Sequence, residues 1–267
     1  DGGFFLLISW LERAMLGTWH LPKPADPADT SVSEEELSGF LSHANKSFPG
    51  LHLGLNEISL VHHGLVPAQR HQDGHVTQTP TPRILDHSLE GTTGAISVFG
   101  VKYTTARGVA EQVINLASRK LGNPTQPSRT GTTILPGASL LDDRDLFARA
   151  RQAGLTANSE RHLIATYGDR SHLVLECTAG RQDLLKTVAP TSPTIGAEII
   201  YATRHEMACT LLDVTARRTS LGIAGHPGTQ AVSICSSLLK KELHWTPSRT
   251  HQELAALDAH YAPVKSQ

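Results

Sequence analysis

Apolar positions along this chain follow two periods, and the change between them falls at Gly100. Residues 96–99 carry Ile96, Val98 and Phe99, a short run rich in the residue types that favour strands. Beyond Gly100, Val109, Val113 and Leu116 recur at helical spacing, with Ala106, Ala110, Ala117 and Leu121 beside them. Arg119 and Lys120 suit the negative end of the helix dipole, and Gly122 is a left-handed stop. The pattern predicts strand, turn and helix over residues 95–122. The turn, Gly100-Val101-Lys102-Tyr103-Thr104-Thr105, sits at a helix N-terminus whose first amides have no internal partner. Such a turn can hold an anion or an electron-rich carbonyl.

Upstream, the apolar runs 4–9 and 14–19, joined by Leu11-Glu12-Arg13, predict a β-hairpin, and Pro22, Pro24 and Pro27 a loop after it. Ser33-Glu34-Glu35-Glu36 is a capping box, with Val32 and Leu37 as a hydrophobic staple, for a helix reaching about Asn45. Glu57 to Leu65 alternates loosely and ends at Pro67, which predicts a strand. Residues 76–86 predict a second, at a sheet edge because Pro80 and Pro82 interrupt it.

After Gly122 comes a stretch almost without apolar residues, read as a linker over 123–134. Beyond it every segment reads as helix: from Asp142 to Ala153 with Gly154 as stop, 159–166 with Gly168 as stop, 171–177, 182–188, a long one over 197–217, then 229–243 and 248–261. The fold class is therefore α+β, an incomplete β-sheet region over residues 1–122 followed by an all-α domain over 135–267.

Composition narrows the partners. A net charge of −1 provides no global field to attract nucleic acid, and Arg217-Arg218 suits the last turn of a helix without one. Cys177, Cys209 and Cys235 are far apart and form no paired motif, which argues against a disulfide framework or a zinc site and for a reducing compartment. The acidic triplet at 34–36 complements a helix dipole rather than marking a metal site. In a chain with 15 histidines, His62, His63, His71, His75 and His87 read as solvated loop residues, so no metal is expected. The longest apolar run is too short to span a bilayer, and a soluble, cytoplasmic protein is expected. Peripheral contact with the inner face of the membrane and homo-oligomerisation stay open.

Ile96-Ser-Val-Phe-Gly-x-Lys-x-Thr-Thr-x-Arg107 resembles the flavin-contacting segment of FAD-dependent glycerol-3-phosphate dehydrogenases. Glu198-Ile-Ile-Tyr-Ala-x-x-x-Glu206-x-Ala-x-Thr-x-x-Asp213-Val-x-x-Arg-Arg-Thr-x-Leu-Gly222 resembles the helical C-terminal domain of the same family, and the two blocks occur in the family's order. The resemblance covers nearly the whole chain.

It implies residues 1–122 as the C-terminal part of an FAD- and substrate-binding domain. The implied chemistry is hydride transfer from a secondary alcohol, glycerol 3-phosphate or a related small molecule, to flavin N5, with a quinone or other electron acceptor downstream. Gly100, Val101, Lys102, Tyr103, Thr104 and Thr105 would contact the cofactor, Lys102 would be catalytic and touch substrate, and Arg83 would also bind substrate. Two family positions depart. The hairpin that ends Gly-Thr-Thr-Asp in the family reads Gly17-Thr18-Trp19-His20, and Gly-x-Arg-Pro, whose arginine helps hold the substrate phosphate, reads Gly64-Leu65-Val66-Pro67. These departures leave two other readings open: a degenerate, non-catalytic interaction or structural module, and a flavoenzyme for an unphosphorylated hydroxy acid or amine. Because the chain contains no Gly-x-Gly-x-x-Gly, it reads as a C-terminal fragment that would not retain FAD unaided.

Overall fold

The computed structural model describes residues 5–11, 13–21, 26, 31–79, 81–100, 102–123, 126–139 and 144–262. Phe4, Glu12, Pro22, Pro24, Pro27, Pro80, Val101 and Asp142, each part of an expectation above, lie outside them. The architecture is α+β. In chain order it runs β1 (Leu6–Trp10), β2 (Arg13–Gly17), α1 (Glu34–Ser47), β3 (Ala68–Arg70), β4 (Val76–Gln78), β5 (Arg83–Asp86), β6 (Ile96–Phe99) and α2 (Ala106–Lys120). The helices α3 (Arg144–Gln152), α4 (Ala157–Tyr167), α5 (Ser171–Glu176), α6 (Gly196–His205), α7 (Thr229–Glu242) and α8 (Pro247–Tyr261) follow. Among the described residues the strands pair only as neighbours, into antiparallel ribbons β1–β2, β3–β4 and β5–β6. No helix among them is long and apolar enough to cross a membrane.

Two compact units divide the chain: residues 1–18, 32–61 and 134–267 in one, residues 19–31 and 62–133 in the other. In the first, the Ser33 hydroxyl accepts from the Glu36 amide (3.2 Å) and the Glu36 carboxylate from the Ser33 amide (2.9 Å), the capping box the sequence predicts. Helix α1 buries Leu37, Leu41 and Ala44, its apolar stripe. Helices α3 to α8 enclose one core that includes Leu163, Val174, Ile199, Tyr201, Leu211 and Leu239. The carboxylate of Glu198 lies fully buried within this unit. It takes hydrogen bonds from the Ile195 amide (2.8 Å), the Tyr167 hydroxyl (3.0 Å) and the His162 ring (3.0 Å), and so meets the requirement that a buried charge be paired.

The long helix expected over 197–217 is broken. Helix α6 ends at His205, Met207 takes a left-handed φ of 59°, and the amides of Glu206 and Ala208 both return to the Ala202 carbonyl. A new start is built downstream. The Asp213 carboxylate accepts from the amides of Cys209 and Thr210, each 3.0 Å away, and Glu253 of α8 takes the Leu211 amide at 2.8 Å. A π-helical turn, Asp213–Arg217, follows. Periodicity alone could not show this, because the apolar spacing carries through the break.

The strand expected over 57–65 is also absent. The Glu57 carboxylate reaches back to the Gly54 amide (2.8 Å) and closes a 3-10 turn at Leu55–Glu57, after which residues 58–67 run without strand pairing. Residues 76–86 form two strands rather than one. Val76–Gln78 pairs with Ala68–Arg70, while Arg83–Asp86 pairs with Ile96–Phe99.

Candidate functional site

In the unit formed by residues 19–31 and 62–133, the β5–β6 hairpin carries the predicted turn. Its register sets Arg83 opposite Phe99 and Asp86 opposite Ile96, so Arg83 and the Gly100–Thr105 turn share one end of the ribbon. Gly100 has a φ of +72°, and a Cβ there would meet the Thr81 carbonyl oxygen at 3.4 Å and Pro67 Cγ at 3.6 Å. Glycine therefore lets the segment at Pro67 close on the turn. Val66, the position where the resemblance expects an arginine, precedes this Pro67 and is about half exposed at 48%.

Lys102 precedes a 3-10 turn over Tyr103–Thr105 that leads directly into α2. Its carbonyl accepts from the Thr105 amide (3.0 Å) and the Thr105 hydroxyl (3.2 Å), while the Ala106 amide bonds the Tyr103 carbonyl. Lys102, Tyr103, Thr104 and Thr105 are exposed, Tyr103 completely. Among the described residues no hydrogen bond or ion pair engages the Lys102 ammonium or the Arg83 guanidinium. An ammonium at a helix start opposes the helix dipole, which costs about 0.3–1 kcal/mol at an exposed site. A cation held there without a carboxylate partner suits a ligand edge that is negative or becomes so. Val101 lies outside the described residues.

The far end of the hairpin holds a network that the sequence reading missed. Lys120 Nζ, in the last turn of α2, donates to both oxygens of Asp86 (2.7 and 2.9 Å) and to the Ser88 hydroxyl. Asp86 also accepts from the Ser88 amide (3.0 Å) and hydroxyl (2.7 Å). The Lys120 ammonium holds the Asp86 carboxyl well below the usual carboxylate range, with Ser88 adding to the effect. Partners 34 residues apart carry no local spacing signal.

Other candidates do not converge on this turn. Arg70 stands opposite Val76 on the β3–β4 ribbon. On the same ribbon the rings of His71 and His75 stack 6.1 Å apart, with His71 Nε2 bonded to the Thr77 hydroxyl at 2.7 Å. Among the described residues no cluster of three or more His, Cys, Asp or Glu could hold a metal ion. In the other unit an open hollow of about 560 Å³ runs along α1, but its Asn45 side chain is used in bracketing the Leu53 backbone at 2.7 and 2.8 Å.

Comparison with known proteins bears on the same two blocks. The profile of the C-terminal domain of alpha-glycerophosphate oxidase matches residues 128–250. The glycerol-3-phosphate dehydrogenase of Synechocystis is 27% identical over 94% of this chain. The chain is thus similar over nearly its whole length to glycerol-3-phosphate dehydrogenases. The aerobic glycerol-3-phosphate dehydrogenase of Escherichia coli is 28% identical over 84% of the chain, and the mitochondrial enzyme of Bos taurus 26% over 95%. The fold agrees with that of the Bacillus halodurans glycerol-3-phosphate dehydrogenase solved in complex with FAD, at a TM-score of 0.76 and 22% identity over 100% of this chain and 53% of that one. This chain spans 46% of the length of the Synechocystis relative, 45% of the Escherichia coli one and 35% of the bovine one.

At one end of the ribbon lie Arg83, Gly100 and, after it, Lys102, Tyr103, Thr104 and Thr105, with Pro67, the neighbour of Val66 in sequence, against Gly100. The helical block Glu198–Gly222, which carries the second resemblance, supplies the buried Glu198 and the helix-starting Asp213, both used in holding the fold.

Proposed function

We propose that this chain supplies the C-terminal flavin- and substrate-contacting part of an FAD-dependent oxidoreductase of the glycerol-3-phosphate dehydrogenase type. The observation that carries the reading is the Lys102 ammonium, without a partner among the described residues, at a strand-to-helix turn whose glycine admits close backbone approach. The FAD of the solved family member fits this donor set: free amides at a helix start and a cation suit the electron-rich N1 and C2 carbonyl edge of a flavin. When bound, the flavin supplies acceptance of a hydride at N5 from the carbinol carbon of glycerol 3-phosphate or a related secondary alcohol, with a quinone or another acceptor taking the electrons onward.

The residues of this chain do the rest. Lys102 holds positive charge where negative charge develops on reduction, which stabilises the reduced state more than the oxidised one. The amides at the start of the turn leading into α2 that no internal carbonyl takes orient the cofactor edge. Arg83, at the same end of the hairpin, orients the substrate.

Val66 favours a second reading in the same class. Valine cannot donate the forked pair of hydrogen bonds that an arginine gives a phosphate, so the substrate would be an unphosphorylated hydroxy acid or amine. A substrate panel separates these readings from a non-catalytic module, which would turn over none of the substrates.

The deciding experiment is Lys102→Met in the full-length, flavin-loaded protein. The expected result is FAD content largely kept, a lowered flavin midpoint potential, and reduction by substrate slowed by about two to three powers of ten. An unchanged potential together with unchanged stopped-flow reduction would show that Lys102 is a surface residue.

A further inference from the structure

Helix α2 is fastened to its hairpin at two ends and packs loosely between them. At one end the chain itself joins β6 to α2 through the Gly100–Thr105 turn. At the other, Lys120 reaches Asp86, which pairs with Ile96 and so marks the end of the ribbon away from the turn. Between the ends, Val109 is the one buried side chain among the described residues of α2. Val98 of β6 and Ala106, Val109, Ala110, Val113 and Ile114 of α2 line an open apolar groove of about 280 Å³, with Ile114 exposed. Apolar contact without interdigitation does not fix a helix direction, because few atoms resist a small rotation. Gly100 sits at the pivot with a φ of +72°, where glycine imposes little stiffness of its own.

We infer that the Asp86–Lys120–Ser88 network is a positioning clamp that sets the conformation of the Lys102–Thr105 turn from the other end of α2. All three ammonium hydrogens of Lys120 are spent, on the two Asp86 oxygens and on the Ser88 hydroxyl, and Asp86 is itself fixed by the Ser88 amide. Such a multiply bonded ion pair defines a direction, which a single exposed contact does not. If α2 swings free of Asp86, the rotation is taken up at its attachment. There the Thr105 amide to Lys102 carbonyl bond and the Ala106 amide to Tyr103 carbonyl bond hold the turn. The consequence for catalysis rests on the role proposed above for Lys102, which the clamp would keep aimed. The clamp itself does not depend on that role.

The test is amide hydrogen exchange on the chain as it exists, with no flavin present, for the parent, Asp86→Asn, Lys120→Met, Ser88→Ala and Lys120→Arg. The amides of Thr105 and Ala106 should exchange about fivefold faster in Asp86→Asn and Lys120→Met and about twofold faster in Ser88→Ala, the range open to a partly exposed pair. Lys120→Arg, which keeps the charge and two donors, should restore the parent rates. Amides of α6 should not change in any variant, which separates a local release from global loss of stability. Unchanged exchange at Thr105 and Ala106 in both Asp86→Asn and Lys120→Met overturns the clamp, and so does an equal acceleration in α6. A second arm measures the flavin midpoint potential in the full-length, loaded protein, which should fall for Lys120→Met in the same direction as for Lys102→Met but less far. A fall for Lys102→Met with none for Lys120→Met would reduce the network to a fold contact and overturn its positioning role. If Lys102→Met itself leaves the potential unmoved, the flavin reading fails, and the exchange rates still decide the clamp.

Discussion

Oε2 of Glu198 accepts a hydrogen bond from His162 Nε2 at 3.0 Å in an interior where the carboxylate has no solvent exposure. A carboxylate only accepts, so the imidazole Nε2 carries a proton. The same oxygen takes the Tyr167 hydroxyl at 3.0 Å, and burial followed by the Glu198 charge pushes that phenol well above its ordinary range. Oε1 takes the Ile195 amide and closes the first turn of α6. One side chain thus joins α4 to the N-terminus of α6.

Replacing Glu198 with alanine should therefore cost about 3–5 kcal/mol, since it strands a buried amide and a buried hydroxyl together. Tyr167→Phe, which removes one donor and leaves the carboxylate two others, should cost about 1–2 kcal/mol. Urea unfolding followed by far-UV circular dichroism measures both. A loss for Glu198→Ala no larger than for Tyr167→Phe would show that water replaces the carboxylate.

Asp213 makes the start of the π-helical turn dependent on pH. Burial acts to raise its carboxyl, but the Cys209 amide, the Thr210 hydroxyl, Arg217 and the Thr210 amide outweigh burial and lower it. A depressed folded value means stabilisation that is present above the unfolded carboxylate value, about 3.9, and lost as pH falls through the lower folded value. Asp213→Asn keeps an acceptor for the Cys209 and Thr210 amides and loses the charge and its Arg217 pair. It should therefore cost about 0.5–1 kcal/mol at pH 7, with the gap to the parent closing as pH falls below about 4. Unfolding curves at pH 7 and at acid pH test this. A gap of equal size at both would mean that the charge is irrelevant.

What the sequence made legible was local. Ser33 and Glu36 stand three residues apart and their capping box is spaced as the motif requires, while Gly122 adopts the positive φ expected of it. The turn at 100–105 followed from the change of period. The contacts that hold these elements in place were invisible. Asp86 finds Lys120 across 34 residues, Glu198 finds His162 across 36, and Glu253 caps the Leu211 amide across 42. No periodicity encodes such meetings, since they exist only once the helices have packed. The break at His205 was missed for the same reason, because the groups that reward it, Asp213 and Glu253, act from outside the helix.

Thiol chemistry should distinguish the three cysteines sharply. Cys235 is fully buried, and burial pushes its thiol up to about 12. Cys177 is buried and raised for the same reason, whereas Cys209 is exposed on the loop after α6. Since the thiolate is the nucleophile, a chromogenic disulfide reagent at pH 8 should titrate one thiol quickly in the native chain and three after denaturation. Cys209→Ser should abolish the fast phase. Two fast thiols in the native protein would contradict the burial of Cys177 or Cys235.

The last prediction concerns Val66, which precedes the Pro67 that packs against Gly100. If the site is built for a phosphorylated alcohol, the absent arginine is a loss that restoring it should repair. Val66→Arg is open to test because the side chain is half exposed, so a guanidinium need not be buried to be accommodated. A charge-assisted pair of hydrogen bonds to a phosphate contributes about 1.5–3 kcal/mol, or roughly ten- to a hundredfold in affinity. In the full-length, flavin-loaded protein, Val66→Arg should therefore lower KM for glycerol 3-phosphate by at least about tenfold. It should change kcat little, because the phosphate lies away from the carbon that loses hydride and its binding is uniform between ground and transition states. The same change should leave KM for glycerol, which has no phosphate, close to the parent value. If the substrate is an unphosphorylated hydroxy acid or amine, Val66→Arg instead leaves glycerol 3-phosphate without turnover and alters the constants of the true substrate. The two outcomes are separated by steady-state kinetics on the parent and the variant with the same substrate panel.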